Sequence, residues 1–147
     1  MAGKQTLIEK LNLLKALLAL YQKLLALTQK RPTLKELAEA MAKFEGFYLI
    51  NSRANRNNNP GNLKWSSWAK GYDKDNFAIF ETKEKGWEAF LWDLGKKCKG
   101  ETRTNLTPES TIKDLIYVWT TTDQKDYTNF ICERLGIAQN YKLKNLA

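Results

Sequence analysis

The run RNNNPGN at residues 56–62 constrains the fold more than any other stretch of the chain. Proline fixes φ and removes a backbone donor, the residue before it is kept out of the helical region, and Asn and Gly favour turns. The chain must therefore break here, and the periodic segments on either side belong to different elements. As structure, NNNPGN reads as a connection with Gly61 at positive φ. As chemistry, each Asn side chain offers a donor and an acceptor, the pairing needed to read N-acetyl groups and sugar hydroxyls. Trp65 and Trp68, just beyond, offer flat faces for pyranose rings.

Upstream, TLKE at residues 33–36 has the form of a capping box, with the Thr33 hydroxyl accepting from an early helix amide and Glu36 reaching back. A helix is predicted from about Leu34. At 100° per residue Leu34, Leu37, Ala38 and Met41 share one face, while Lys35, Glu36, Glu39 and Lys43 point away. Glu45 follows Met41 by four residues and Ala38 by seven, so it projects from the middle of the apolar face. It reads either as a buried acid paired with Arg53, Arg56 or Lys64, or as a general acid. In the second reading the apolar setting of Phe44, Phe47 and Tyr48 raises the pKa into the range that protonates a leaving oxygen.

Downstream, residues 63–66 and 77–81 (FAIFE) are predicted strands joined by the polar excursion KGYDKDN, a small antiparallel hairpin. Helices are predicted over residues 83–97, over 112–119 with Thr107 or Ser110 as cap, and over 127–135 closed by Gly136. The tail from Ala138 is expected to be less ordered. The sum is an α+β arrangement, mainly helical, at residues 32–147.

Residues 1–31 read as a separate N-terminal segment, a Leu-rich amphipathic helix over residues 7–27 that runs into the polar break QKRP at residues 29–32. Leu7, Leu11, Leu14, Leu18, Tyr21 and Leu25 form one row, and Leu13, Leu17, Leu20, Leu24 and Leu27 a second beside it. This face is too wide for a two-stranded seam and suits burial against a domain, a partner helix or a membrane surface. Asn12, Lys15 and Lys23 interrupt it, so neither a signal peptide nor a membrane span is expected.

The formal charge of +8 favours a polyanionic partner, whether nucleic acid, anionic lipid or an anionic wall polymer. The chain has no histidine, which excludes an imidazole base, His-built zinc sites and Ser-His or Cys-His nucleophile pairs. Cys98 and Cys132 lack CxxC spacing; a bridge and two unpaired thiols both remain open. No metal or cofactor is expected.

The block FEGFYLINSRANRNNNPGNLKW, with NFAIFETKEKGWEAFLWDL and TIKDLIYVWTTTDQKDYTNFICERLGI after it, resembles a phage and bacterial family of lysozyme-like, peptidoglycan-cleaving domains. The resemblance covers roughly residues 34–137 and is similar, more weakly, to soluble lytic transglycosylases. It implies a lysozyme-like domain in which Glu45 protonates the glycosidic oxygen between MurNAc and GlcNAc, and Asn57, Asn58, Asn59 and Asn62 shape the cleft floor. Tyr127 matches the late tyrosine that reaches the acid, and Trp65 joins the substrate-binding set. Asp73 and Asp75 are the candidates for a second carboxylate, which hydrolases use and lytic transglycosylases do not need. The implied partner is the glycan strand of peptidoglycan. The implied setting is the bacterial cell wall, reached as a phage lysin, a virion-borne enzyme or a protein exported without a signal peptide. Two other classes are carried: an inactive wall-binding or virion structural domain, and a basic domain stacking single-stranded nucleic acid on Trp65, Trp68 or Trp87. Against nucleic acid, no helix carries a one-sided Lys/Arg stripe and no reader motif appears.

Overall fold

The computed structural model describes residues 2–28 and 31–147, so Gln29 and Lys30 of the predicted polar break lie outside the described residues. The chain divides into two compact units, Met1–Arg31 and Pro32–Ala147. The first is a single helix, α1 (Ala2–Thr28), made almost wholly of strong helix formers. By length and composition its segment Gly3–Thr28 is long and apolar enough to cross a membrane.

The second unit is mainly helical with a two-stranded antiparallel sheet. Its elements are α2 (Leu34–Phe44), α3 (Arg53–Arg56), β1 (Gly71–Tyr72), β2 (Ala78–Ile79), α4 (Lys83–Cys98), α5 (Ile112–Trp119), α6 (Gln124–Leu135) and a 3-10 turn at Leu143–Asn145. The capping box forms as read: Glu36 N donates to Thr33 Oγ1 at 3.0 Å and Thr33 N to Glu36 Oε2 at 2.9 Å. Beyond it the apolar face of α2 buries Leu37, Ala38, Met41 and their neighbours against α4 and α6. Phe90 and Leu94 of α4, Ile112 and Ile116 of α5, and Ile131 of α6 complete this core. Each such side chain contributes about 1.5–3 kcal/mol by leaving water.

The hairpin is shifted from its predicted place. Residues 63–66 form no strand, because the Asn59 side chain already bonds both backbone groups of Leu63, at 2.8 Å to its N–H and 2.9 Å to its carbonyl. Ala78 N still reaches Leu63 O at 2.9 Å, but the chain then turns and the ladder proper pairs Gly71 with Ile79 and Tyr72 with Ala78. The predicted excursion thus supplies the first strand, and its turn is closed by Asp73 Oδ1, which accepts from Asp75 N and Phe77 N, both at 2.9 Å.

Three further differences are local. Thr111, rather than Thr107 or Ser110, caps α5, in a second capping box with Asp114. Helix α6 starts three residues before Tyr127, and α3 is too short to leave a periodic signal. The tail is ordered: Ile112 N donates to Tyr141 O at 3.0 Å, Leu143 is buried, and Ala147 N reaches Pro32 O at 3.0 Å. Cys98 and Cys132 are free thiols, and burial pushes Cys98 up to about 11.

Gly61 is not left-handed; Asn58 and Asn62 are, at φ 51° and 47°. Gly61 is glycine because a Cβ there would lie 2.5 Å from the Phe90 ring. At Gly86, in α4, a Cβ would come within 1.7 Å of the Asn58 carbonyl oxygen. The amide turn therefore rests directly on α4, with glycine on both sides of the contact. Gly86→Ala is expected to destabilise the unit by about 3 kcal/mol in chemical denaturation, since backbone must move to admit the methyl. Gly71→Ala, where a Cβ meets nothing within 4 Å, is expected to stay within about 0.5 kcal/mol.

Candidate active site

Glu45 sits where α2 stops. Gly46, at φ 81°, takes the left-handed position after it, with Gly46 N donating to Lys43 O at 3.2 Å and Phe47 N to Ala42 O at 3.0 Å. This double closure is a Schellman motif, and it explains the Glu-Gly step: only glycine reaches that φ without penalty. The loop beyond is braced from α3. Ser52 Oγ donates to Gly46 O at 2.6 Å while accepting from Asn55 N, and Asn55 Nδ2 donates to Phe47 O at 3.1 Å. The acid is thereby fixed on both sides, by a helix and by a capped turn.

The four asparagines divide into scaffold and site. Asn59 is fully buried, and its amide makes three bonds, to Leu63 N, Leu63 O and Ala78 O. Asn57 Nδ2 donates to Asp73 Oδ2 at 2.8 Å, and Asn58 Nδ2 to Phe80 O at 3.1 Å. These three hold the turn to the hairpin and do not line the cleft. Asn62 alone faces the acid, donating from Nδ2 to Glu45 Oε2 at 2.9 Å. Its Oδ1 is buried with no donor among the described residues, which costs about 1–3 kcal/mol beside Glu45.

An open cleft of about 740 Å³ exposes the Glu45 and Asn62 side chains. Its size suits a small-molecule or oligomer site. Trp65, Phe77 and Trp119 line it with rings, and Thr120, Thr121 and Thr122 with hydroxyls. Trp65 is 71% exposed, so its face is free to stack. Tyr127 does not line the cleft; it is buried behind the acid, under the Phe44 ring at 4.0 Å.

The cations in and around the cleft are engaged elsewhere than with Glu45 among the described residues. Arg53 Nη2 bonds Asp75 at 2.9 Å and its Nε lies 3.6 Å from Asp73, while its guanidinium covers the Phe77 ring. Lys97 bonds Asp93 at 2.6 Å. Arg56 donates to the Asn51 carbonyl, and Lys64 lies over Phe77. Among the described residues no ion pair reaches Glu45, so its reading as the partner of Arg53, Arg56 or Lys64 does not hold. Asp73 and Asp75 lie outside the cleft lining, and Asp73 is held below the usual carboxylate range chiefly by the Phe77 N–H.

Burial holds the half-buried Glu45 carboxyl above the usual carboxylate range; hydrogen bonds with Asn62, Tyr127 and Trp119 oppose the rise without cancelling it. The negative pole at the end of α2 acts in the same direction as burial. Burial, and then the Glu45 charge, push the Tyr127 phenol well above its ordinary value, so it remains a neutral donor. The site thus presents a protonatable acid held by neutral donors at the wall of an aromatic cleft.

Sequence reasoning passed over Trp119, Asp93, Lys97 and the three threonines. They come from α4 and the end of α5, far along the chain, and nothing in their local pattern marks them. Among the described residues no group of three or more Cys, Asp or Glu side chains could hold a metal ion. No protein-family model, curated protein or solved structure matches this chain.

Two substitutions separate scaffold from site. Asn59→Ala is expected to cost about 3 kcal/mol in denaturant unfolding, because it strands buried backbone groups. Asn62→Ala is expected to change stability by less than about 1 kcal/mol while moving the Glu45 titration further up in an NMR pH series, since it removes a bond that lowers that pKa.

Proposed function

We propose that the chain is a peptidoglycan-cleaving glycosidase in which Glu45 is the general acid, on a lysozyme-like frame. The observation that carries this reading is a carboxyl held above its usual range by burial, hydrogen-bonded by Asn62 and without a cationic partner among the described residues, in an open cleft with an exposed tryptophan. A glycosidase needs an acid that is still protonated near neutral pH, and desolvation without a compensating cation is the physical route to one. The resemblance of residues 34–137 to lysozyme-like domains supplies the substrate class.

In this reading protonated Glu45 donates to the glycosidic oxygen, the bond from that oxygen to the anomeric carbon breaks, and positive charge develops on the ring carbon and its oxygen. The resulting carboxylate then accepts a proton from the group that closes on the anomeric carbon. That group is water in a hydrolase and the muramic acid 6-hydroxyl in a lytic transglycosylase. Asp73 and Asp75 lie outside the cleft lining, and Asp93, which does line it, is bound to Lys97. Both facts favour a mechanism with one working carboxylate, and so the transglycosylase route. Asn62 and Tyr127 are positioning residues, holding the carboxyl without taking its proton.

Purified peptidoglycan digested with the wild-type chain is expected to give soluble fragments with anhydro ends by mass spectrometry. Glu45→Gln is expected to slow cleavage by roughly 10²–10⁴-fold. Reducing ends in place of anhydro ends would reassign it as a hydrolase, and retained wall binding without cleavage by the wild type would make it a binding domain.

The same substitution makes a stability prediction. A folded pKa raised above the unfolded one stabilises fully below the ordinary glutamate value of about 4.3, and that contribution is lost as pH rises through the raised value. Relative to wild type, Glu45→Gln is therefore expected to gain in Tm as pH rises from acid to neutral. A constant Tm difference across that window would show that the carboxyl is not desolvated.

A further inference from the structure

We infer that α1 binds in the plane of an anionic lipid surface, with its leucines in the acyl boundary and its lysines at the headgroups. In the unit Met1–Arg31 the helix Ala2–Thr28 is the one element among the described residues, and its leucine rows are exposed. Projected at about 100° per residue, residues 11–27 segregate without exception. Asn12, Lys15, Gln22 and Lys23 fall within an arc of roughly 100°, shared only with alanines, and every leucine together with Tyr21 occupies the remaining arc of roughly 200°. Lys4 falls at the edge of the same polar arc; Glu9 and Lys10 depart from the pattern, near the N-terminal end.

Three occupants could cover such a face, and charge and position choose among them. The helix carries four lysines, Lys4, Lys10, Lys15 and Lys23, against one acid, Glu9. A second copy would cover only a narrow seam of so wide a leucine arc and leave the lysines of the opposite arc with no acid beyond Glu9 to answer their charge. A bilayer span would put Lys15, the middle residue of Ala2–Thr28, at the centre of the hydrocarbon, where an ammonium is least tolerated. An in-plane position lets Lys4, Lys15 and Lys23 stay with the headgroups on one side while the wide leucine arc enters the acyl region. The lack of acids after Glu9 matches an anionic surface, where each lysine is worth roughly fivefold in affinity. This inference rests on α1 alone and is independent of the role of Glu45.

The test is co-sedimentation of the full chain with vesicles of phosphatidylcholine alone or mixed with phosphatidylglycerol. Binding to the mixed vesicles is expected, at least tenfold weaker binding to the neutral ones, and loss of binding as salt is raised. Lys15→Glu with Lys23→Glu is expected to weaken binding at least roughly 25-fold, whereas Lys15→Arg with Lys23→Arg keeps it; circular dichroism checks that both variants retain helix. Equal binding to neutral vesicles that survives salt and carbonate extraction would overturn the inference in favour of a spanning helix. Absence of vesicle binding would also overturn it, whether the chain sediments as a monomer or as an oligomer.

Discussion

The fold of the second unit depends on the Asn59 side chain. One buried amide replaces a stretch of ladder by bonding both backbone groups of Leu63 and the carbonyl of Ala78, so the turn and the hairpin share a single joint. An apolar residue could fill the space, but it would strand the Leu63 N–H and take one bond each from the Leu63 and Ala78 carbonyls in a buried place. Because Asn59 holds Leu63, Asn62 is carried to the glutamate; Asn58 and Gly61 rest on α4 at Gly86 and at the Phe90 ring. Scaffold and site are one hydrogen-bonded object.

The electrostatics of the cleft follow from how its charges are distributed. Of the basic residues that line the cleft, Arg53 is occupied by two aspartates and a ring and Lys97 by Asp93, while Lys64 lies over Phe77. Glu45 is left with neutral donors, which steady a carboxyl without stabilising its anion as a cation would. Had Arg53 turned inward, the same fold would carry an ordinary buried ion pair and a permanently ionised glutamate. The hairpin aspartates, read from sequence as chemistry, matter here because they draw that guanidinium away.

Much of the frame was legible in the sequence where the signal was local. The capping box at Thr33, the apolar face of α2 and the position of Glu45 on it follow from spacing alone, as do most of α4 and the glycine that ends α6. The misplaced strand and the cap of α5 are decided by nearby side chains, Asn59 and Asp114, whereas the ordered tail is decided by partners far along the chain. Residues 63–66 have a strand-like composition, yet a side chain four residues back had taken the backbone groups a strand would use. Three of the four asparagines looked like cleft residues because composition shows that an amide is present and not where its bonds go. Trp119 was invisible for the same reason, since its place beside Glu45 is fixed only when α5 packs.

The closure of the tail has a geometric consequence. Ala147 N donates to Pro32 O and Leu34 N to Ala147 O, so the first and last residues of the unit meet at one point, the start of α2. The glutamate lies at the other end of that helix, eleven residues along, or roughly 16 Å. Within this unit α2 therefore sets a fixed distance between the closure of the chain ends and Glu45.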